Sequence, residues 1–304
     1  MARNNTSNLK LWVGGARLRT LPLAIAPILA ASGITNALQA FSWTLTLLCL
    51  AVALLLQIGV NYANDYSDGI RGTDDYRVGP ARLTASKAVP AKSVKRAAMI
   101  SLGLGAIAGV LVIVLSEQWW LLAVGALAVV AAWYYTGGKH PYGYAGLGEL
   151  VVFVFFGLVA VFGTVYVQYP KLFETVEVIL VTTPAAVGVG LYASAVLMIN
   201  NIRDIDTDIP AGKKTLAVRI GKTPAKALFV AMVWLPLVLD YVYVLLNLPA
   251  AFAFPLAVIL IIAPVTLIAI TAKTPAENIL ALKLTSYSAL LFAFMLMLGL
   301  AKIA

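Results

Sequence analysis

Charged residues are scarce in this 304-residue chain, where Asp, Glu, Lys and Arg together make up only 12% of the sequence. A soluble domain typically carries about twice that share. Apolar residues make up 62% and the mean hydropathy is +0.93, so a water-soluble fold would expose a large apolar surface. The apolar runs are continuous rather than alternating, which excludes a β-barrel. The sequence therefore predicts an all-α polytopic membrane protein, with one domain over residues 1–304.

Cysteine and histidine are almost absent, since Cys49 and His140 are the single examples of each. One cysteine cannot form an intrachain disulfide, and one histidine cannot build a histidine-based metal site. The sequence also lacks the G-x4-G-K-[ST] phosphate loop and the EF-hand spacing with its closing glutamate. Carboxylates and amides are therefore left as the candidate ligands for a metal or a phosphate.

Nine apolar segments approach the length of about 20 residues that crosses a bilayer. They are predicted at residues 19–37, 42–64, 95–115, 119–136, 148–168, 177–201, 224–246, 250–271 and 279–301. Of the 22 Lys and Arg residues, all but Lys171 and Lys302 then fall on the same side as the N-terminus. Because Lys and Arg collect in cytoplasmic loops, this split predicts a cytoplasmic N-terminus and explains the net charge of +9 without nucleic acid. A cleaved signal peptide over residues 1–37 is the alternative, and it would break the split.

Two short aspartate-rich segments end the second and sixth spans, at residues 61–68 and 200–208. No turn residue precedes either segment, so each helix is predicted to continue through its acids. A period of 3.6 residues places on one face of the first helix Asn61, Asn64, Asp65 and Asp68, and on one face of the second helix Asn200, Asp204 and Asp208. Asp206 falls off that face.

Carboxylates stacked at helical spacing repel one another, by roughly half a kcal/mol even on an exposed helix. A divalent cation removes that conflict, and Mg²⁺ commonly bridges one or two carboxylates to substrate phosphates. Basic residues accompany both segments: Arg71, Arg77 and Arg82 follow the first, and Arg203, Lys213 and Lys214 lie in or after the second. The pattern predicts a magnesium diphosphate site on the cytoplasmic side. The alternatives are solvated helix ends and the ion site of a transporter, although transporter sites lie nearer the bilayer midplane in interrupted helices.

Five further positions are candidates on residue type. Lys139 could reach a phosphate, while Tyr134, Tyr135 or Tyr142 could present a ring face to a developing cation. The alternative for these four is an interfacial aromatic belt with a snorkelling lysine. Glu149 lies just inside the fifth span, where an ionisable residue is a functional candidate or a carboxylate that favours the start of a helix.

Four stretches of the chain together resemble the UbiA-type intramembrane prenyltransferases. They are residues 16–22 (ARLRTLP), 64–80 (NDYSDGIRGTD, then RVGP), 135–138 (YTGG) and 200–221 (NNIRDIDTDIPAGKKTLAVRIG). The likeness covers almost the whole chain and is strongest to the branch that prenylates 1,4-dihydroxy-2-naphthoate in menaquinone synthesis.

The resemblance implies about nine helices in a bundle around a central cavity. It also implies transfer of a polyprenyl chain from polyprenyl diphosphate to 1,4-dihydroxy-2-naphthoate, with loss of CO₂ and formation of demethylmenaquinone, and Mg²⁺ as the cofactor. The expected location is the cell membrane of a bacterium, within the lipid bilayer and with the site on the cytoplasmic side. Other acceptors such as 4-hydroxybenzoate are the alternative. The sequence predicts neither the prenyl chain length nor the oligomeric state.

The pattern and the resemblance together assign the site residues. The expected metal ligands are Asp65, Asp68, Asp74, Asp204 and Asp208. The expected catalytic residues are Asp68, Asp204, Lys139 and Glu149. The expected substrate-binding residues are Asn64, Arg77, Arg82, Tyr135, Tyr142, Asn200, Asn201, Lys214, Arg17 and Arg19. Gly72 stands where the superfamily's N-x3-D-x3-D form has its second aspartate, so that role passes to Asp74, as in the naphthoate branch.

Overall fold

The computed structural model describes the backbone of residues 3–73 and 82–301, and the side chains from Leu9 onward within those ranges. Over these residues the chain forms helices and no β-strand. The α-helices are α1 (Arg3–Ala16), α2 (Pro22–Ala37), α3 (Trp43–Arg71), α4 (Ala91–Ser116), α5 (Leu121–Tyr134), α6 (Gly148–Val152), α7 (Ala160–Tyr166), α8 (Val176–Asp208), α9 (Leu216–Ile220), α10 (Lys222–Leu239), α11 (Tyr241–Leu245), α12 (Pro249–Ala253), α13 (Ile259–Thr271) and α14 (Pro275–Leu300). A π-helical segment, Phe153–Val159, joins α6 to α7.

Two of these helices are unusually long, and they carry the aspartate-rich segments. Helix α3 has 29 residues and α8 has 33, or about 44 and 50 Å at 1.5 Å per residue, more than the ~30 Å hydrocarbon core requires. The prediction that each helix continues through its acids is confirmed. Helix α3 ends at Arg71, and the φ of 71° at the following residue, Gly72, belongs to the left-handed region that glycine adopts readily.

Seven helical stretches in the described part of the chain are long and apolar enough to cross a membrane. An eighth is a bent pair, Leu9–Thr20 and Pro22–Ala37, which meet at 46°. The segment predicted as the fourth span contains α5, which is apolar but has only 14 residues, about 21 Å. The predicted nine spans therefore reduce to seven or eight by length and composition, with α5 as a shorter apolar helix.

A bend precedes α2, so the helix begins at Pro22, three residues after the predicted start of the first span. Arg17 has a φ of 54° and precedes a short 3-10 turn, Leu18–Thr20. The change of direction at Arg17 places its side chain on the wall of the cavity described below.

The outer surface of the bundle is apolar, as expected for contact with lipid. Leu260 is 82% exposed, and Val238 and Leu245 are each 68% exposed. The interior is close-packed around α8, which contacts α10, α14 and the π-helical segment. A Cβ atom on Gly157 would lie 2.5 Å from the carbonyl oxygen of Ala186, so glycine is required where the π-helical segment crosses α8. The chain is a polytopic α-helical membrane protein.

A candidate active site at the ends of two long helices

A cavity of about 410 Å³ lies between α2, α3, α5, α8 and the segment from α6 to α7. One end of it is polar and the rest is apolar. The polar end is formed by Asn64, Asp68, Asn200, Asp204 and Asp208, together with Arg17, Arg82 and Lys213. The structure therefore brings both aspartate-rich segments to one site.

Helical periodicity accounts for which acids reach this cavity. Asp68 on α3 and Asp204 and Asp208 on α8 line it and are buried. Asp206, predicted to fall off the face, is exposed to solvent. The predicted grouping of Asp204 with Asp208 is therefore found in the structure.

Asp68 is at the centre of the polar end. Its Oδ1 accepts a short hydrogen bond from the Tyr144 hydroxyl. Its Oδ2 lies 3.5 Å from Nζ of Lys213 and 3.8 Å from a guanidinium nitrogen of Arg82. All three side chains that surround this carboxylate come from outside α3, so the charge of Asp68 organises the loops that cover the cavity.

Lys213, not Lys214, extends into the site. Lys213 is 8% exposed and lines the cavity, and its Nζ lies 4.8 Å from the centre of the Tyr144 ring. Lys214 is exposed, and its backbone N–H donates to the carbonyl oxygen of Tyr144. Of these two adjacent lysines, Lys213 rather than the predicted Lys214 therefore lines the cavity.

Tyr144 was not among the predicted residues. It belongs to a short 3-10 turn, Tyr142–Ala145, between α5 and α6. Burial and the negative charge of Asp68 raise the pKa of its phenol above the ordinary value, so the hydroxyl remains a hydrogen-bond donor at neutral pH. The one sequence signal for Tyr144 was its place in the tyrosine-rich loop between the fourth and fifth predicted spans.

Asp65 has a different environment from the other acids. It is 1% exposed and is not on the cavity wall. Its Oδ2 accepts from the backbone N–H of Leu83, and its Oδ1 from that of Thr84, each at 2.9 Å. Both carboxylate oxygens are thus engaged by backbone amides, and Asp65 lies off the wall that Asp68, Asp204 and Asp208 share.

On α8, Asp204 is paired within its own helix. Its carboxylate accepts from the guanidinium of Arg203 at 2.7 and 2.5 Å. The same guanidinium donates to Oδ1 of Asn200 at 2.8 Å. This arrangement fixes both cavity-facing side chains, Asn200 and Asp204, against one buried cation.

Two asparagines connect the cavity wall to neighbouring loops. Oδ1 of Asn64 accepts from the Thr136 hydroxyl at 2.8 Å. Nδ2 of Asn201 donates to Oε1 of Glu149 at 2.8 Å. Glu149 is 3% exposed, lies behind the wall rather than on it, and has no hydrogen-bond partner at Oε2. Glu149 therefore reaches the cavity only through Asn201.

The remaining predicted residues divide into two groups. Arg17, Tyr135 and Tyr142 are on the cavity wall, and the two tyrosine rings meet edge to face with centroids 5.5 Å apart. Burial raises the pKa of the Tyr142 phenol. Lys139 is exposed in its loop, and neither it nor Arg19 is on the wall. The structure thus does not bring Lys139 and Arg19 to the site.

Two predicted residues, Asp74 and Arg77, lie outside the described residues. Among the described ones, no three His, Cys, Asp or Glu side chains converge closely enough to hold a metal ion by themselves. Mg²⁺ usually keeps several waters and takes one or two carboxylates plus substrate phosphates. The oxygen-only donors Asp68, Asp204 and Asp208 therefore fit a magnesium ion that binds together with a diphosphate.

The apolar part of the cavity continues toward the other end of the bundle. A second cavity of about 340 Å³ shares four wall residues with the first: Leu121, Val124, Val159 and Gly163. It ends among four aromatic side chains, Trp120, Phe162, Tyr166 and Phe173. The apolar part of the first cavity and the adjoining second cavity, together called the channel below, thus lead away from the aspartates.

Comparison with known proteins shows which family the chain belongs to. The UbiA prenyltransferase family profile matches residues 24–287. The chain belongs to the UbiA prenyltransferase family. It is 53% identical to the 1,4-dihydroxy-2-naphthoate octaprenyltransferase of Mycobacterium tuberculosis over 234 residues, 77% of this chain and 78% of that protein.

Solved structures share the fold of this UbiA family member. The apo structure of a UbiA homologue from Aeropyrum pernix aligns with a TM-score of 0.62 over 90% of this chain and 96% of that one, at 18% identity. A UbiA homologue from Archaeoglobus fulgidus, bound to DMAPP and Mg²⁺, aligns with a TM-score of 0.59 over 94% and 99%, at 14% identity. The expected fold class is confirmed.

Proposed function

We propose that this UbiA family prenyltransferase transfers a polyprenyl group from polyprenyl diphosphate to 1,4-dihydroxy-2-naphthoate, with release of diphosphate and CO₂. The observation that carries the proposal is the polarity of the cavity. Three carboxylates and three cationic side chains lie at one end, and the channel beyond them is apolar. An anionic head group and a long hydrocarbon tail match these two parts.

The relatives support the choice of acceptor. The Mycobacterium tuberculosis protein is named for octaprenyl transfer to 1,4-dihydroxy-2-naphthoate, and it aligns over about three quarters of both chains. The Escherichia coli protein of the same name is 37% identical over 232 residues. Identity at this level over about three quarters of the chain favours the same acceptor class here.

Magnesium would be held by Asp68 on one side and by Asp204 and Asp208 on the other, with Asp74 as a further candidate. Bound there, Mg²⁺ supplies Lewis-acid stabilisation of the departing diphosphate. The Archaeoglobus fulgidus homologue was solved with DMAPP and Mg²⁺, which supports this metal. In the present structure Lys213 and Arg82 lie beside Asp68 at the polar end of the cavity, where their charges favour contact with phosphate oxygens.

The chain's own groups then act on the two substrates. Lys213 and Arg82 bind the diphosphate through charge-assisted hydrogen bonds, and Tyr144 holds the Asp68 carboxylate in place. When the carbon–oxygen bond breaks, the diphosphate keeps the electron pair and an allylic cation remains. The apolar walls exclude water from that cation, and the rings of Tyr135 and Tyr142 line the same cavity, where they can stabilise positive charge.

The acceptor completes the reaction without a net change of oxidation state. The ring carbon that bears the carboxylate forms a bond to the prenyl carbon, and loss of CO₂ returns the electron pair that restores the aromatic ring. The first product is the quinol form of demethylmenaquinone. Arg17 is on the wall of the polar end, where it can orient the acceptor carboxylate, and Asn201 can contact an acceptor hydroxyl.

The charge distribution supports the location. With the spans predicted from the sequence, nearly all Lys and Arg residues fall on the side of the aspartates, which supports a site on the cytoplasmic face of a bacterial plasma membrane. The relatives named above are bacterial proteins, which is consistent with this membrane.

The test uses the detergent-purified protein with Mg²⁺, a polyprenyl diphosphate and either 1,4-dihydroxy-2-naphthoate or 4-hydroxybenzoate. We expect a prenylated product that has lost the acceptor carboxylate with the naphthoate, and little product with the benzoate. Mass spectrometry distinguishes these outcomes. Equal or greater turnover of 4-hydroxybenzoate, with its carboxylate retained, would overturn the acceptor assignment while leaving prenyl transfer intact.

A further inference from the structure

We propose that Asp65 is a positioning residue that anchors the turn after Arg82 to helix α3 and so directs Arg82 toward the substrate diphosphate. The inference rests on the proposed function for the identity of that anion. Asp65 lies within the aspartate-rich segment, where it was expected to bind the metal. Its carboxylate instead accepts hydrogen bonds from backbone amides.

The anchor consists of two hydrogen bonds to consecutive backbone amides. The N–H groups of Leu83 and Thr84 point at the two oxygens of Asp65, each at 2.9 Å. These amides begin a compact turn in which Ser86 N–H donates to the Arg82 carbonyl and Val89 N–H to the Leu83 carbonyl. A carboxylate that accepts the first N–H groups of a turn acts as a cap, and the charge strengthens each bond.

Close packing makes this attachment specific. Leu83 is buried in a cluster with Ala16, Tyr62 and Val94. One turn along α3, a Cβ atom at Gly69 would lie 2.5 Å from Cβ of Thr84. Only glycine allows the turn to approach α3 closely enough for Asp65 to reach both amides.

The geometry of the turn determines where Arg82 points. Arg82 immediately precedes the anchored amides, and its guanidinium lies 3.8 Å from Asp68 Oδ2 on the cavity wall. Asp65 and Asp68 are three residues apart on α3, so one carboxylate holds the backbone of the turn and the other lies beside its side chain. Without the hydrogen bonds from Asp65, the turn can shift and Arg82 can move away from Asp68.

A metal ligand and an anchor predict different kinetics. Replacing a metal ligand weakens the response to Mg²⁺, whereas replacing the anchor weakens binding of the diphosphate through Arg82. The anchor also predicts that the effect of Asp65 depends on Arg82 being present, which a double-mutant cycle measures.

The experiment compares Asp65→Asn, Arg82→Gln and the double variant in the purified full-length protein. Asparagine keeps one acceptor oxygen and turns an N–H₂ group toward the second amide, so it breaks one of the two bonds with little change in volume. Lys87→Gln is the control, because Lys87 is an exposed cation in the same turn. The readouts are KM for the polyprenyl diphosphate, kcat and the Mg²⁺ concentration at half activity.

We expect Asp65→Asn to raise KM about tenfold, with kcat and the Mg²⁺ requirement little changed, and the double variant to be no worse than Arg82→Gln. Additive effects on KM, or a rise in the Mg²⁺ requirement as large as that of Asp68→Asn, would overturn the inference. So would a folded Asp65→Asn variant with unchanged KM.

Hydrogen exchange provides a readout that does not require activity. Peptides covering residues 82–90 should exchange faster in Asp65→Asn than in the unmodified protein or in Lys87→Gln, while peptides from α8 remain unchanged. Equal protection in all three would overturn the anchor. The exchange difference could be found while the wild-type protein turns over no polyprenyl diphosphate. That result would keep the anchor and overturn both the proposed function and the role assigned to Arg82.

Discussion

Replacing Lys213 with methionine should impair binding of the diphosphate, while the same change at Lys214 should not. Lys213 is 8% exposed and lies 3.5 Å from Asp68, whereas its neighbour is in solvent. Methionine keeps the length of the side chain and removes the charge. The two variants therefore have the same composition and differ only in which of two adjacent positions has lost its cation.

The size of the expected change in KM follows from the burial of Lys213. Two unit charges about 4 Å apart interact by about 4 kcal/mol at an effective dielectric constant near 20. Desolvation offsets much of this, and a hydrogen bond to a charged group contributes about 1.5–3 kcal/mol net. We therefore expect Lys213→Met to raise KM for polyprenyl diphosphate roughly 10- to 100-fold. For exposed Lys214, screening by solvent reduces the effect to about twofold or less.

Steady-state assays of diphosphate release over a range of polyprenyl diphosphate concentrations measure KM for both variants. Thermal unfolding of each variant in detergent verifies that the fold is retained. Equal effects of the two substitutions, or a larger effect at Lys214, would refute the placement of Lys213 in the cavity and the cation role derived from it.

Three other substitutions test separate parts of the site. Tyr144→Phe should lower kcat/KM about tenfold without changing the shape of the pH profile between pH 6 and 9, because its raised pKa keeps the phenol protonated over that range; a new titration there would contradict this. Gly163→Phe should raise KM for long polyprenyl diphosphates and leave KM for a short one unchanged. Gly163 lies where the two cavities adjoin, with nothing within 4 Å of an added Cβ, so the phenyl ring would occupy the path of a long chain. Equal effects on both chain lengths would count against the channel. Gly157→Leu should lower the thermal stability in detergent, by about 1–3 kcal/mol or more, because its Cβ would lie 2.5 Å from a carbonyl oxygen of α8; unchanged stability would contradict the close crossing.

Local signals in the sequence predicted much of this architecture. Continuous apolar runs located the helices, and a 3.6-residue period separated Asp208, which lines the cavity, from Asp206, which is exposed. The same period placed Asp65 beside Asp68. It could not show that the amides of Leu83 and Thr84 occupy both oxygens of Asp65, because that contact joins two segments.

Loop residues were harder to predict than helical ones. Lys213 and Lys214 are adjacent in a segment without helical periodicity, so residue type alone cannot decide which one points inward. Tyr144 acts on Asp68 from 76 positions away along the chain, and only the packing of the α5–α6 loop against α3 brings them together. Helix α5 was expected to span the bilayer because its composition is apolar, but it has only 14 residues.

Magnesium-dependent release of diphosphate by Asp208→Asn, compared with Asp206→Asn, tests the central claim most directly. The two aspartates are two residues apart near the end of α8, and only Asp208 lines the cavity. The account predicts that Asp206→Asn releases diphosphate from a polyprenyl diphosphate at the wild-type rate, whereas folded Asp208→Asn releases almost none at saturating substrate and Mg²⁺. Wild-type release by Asp208→Asn would contradict the assignment of this cavity as the diphosphate-ionising site.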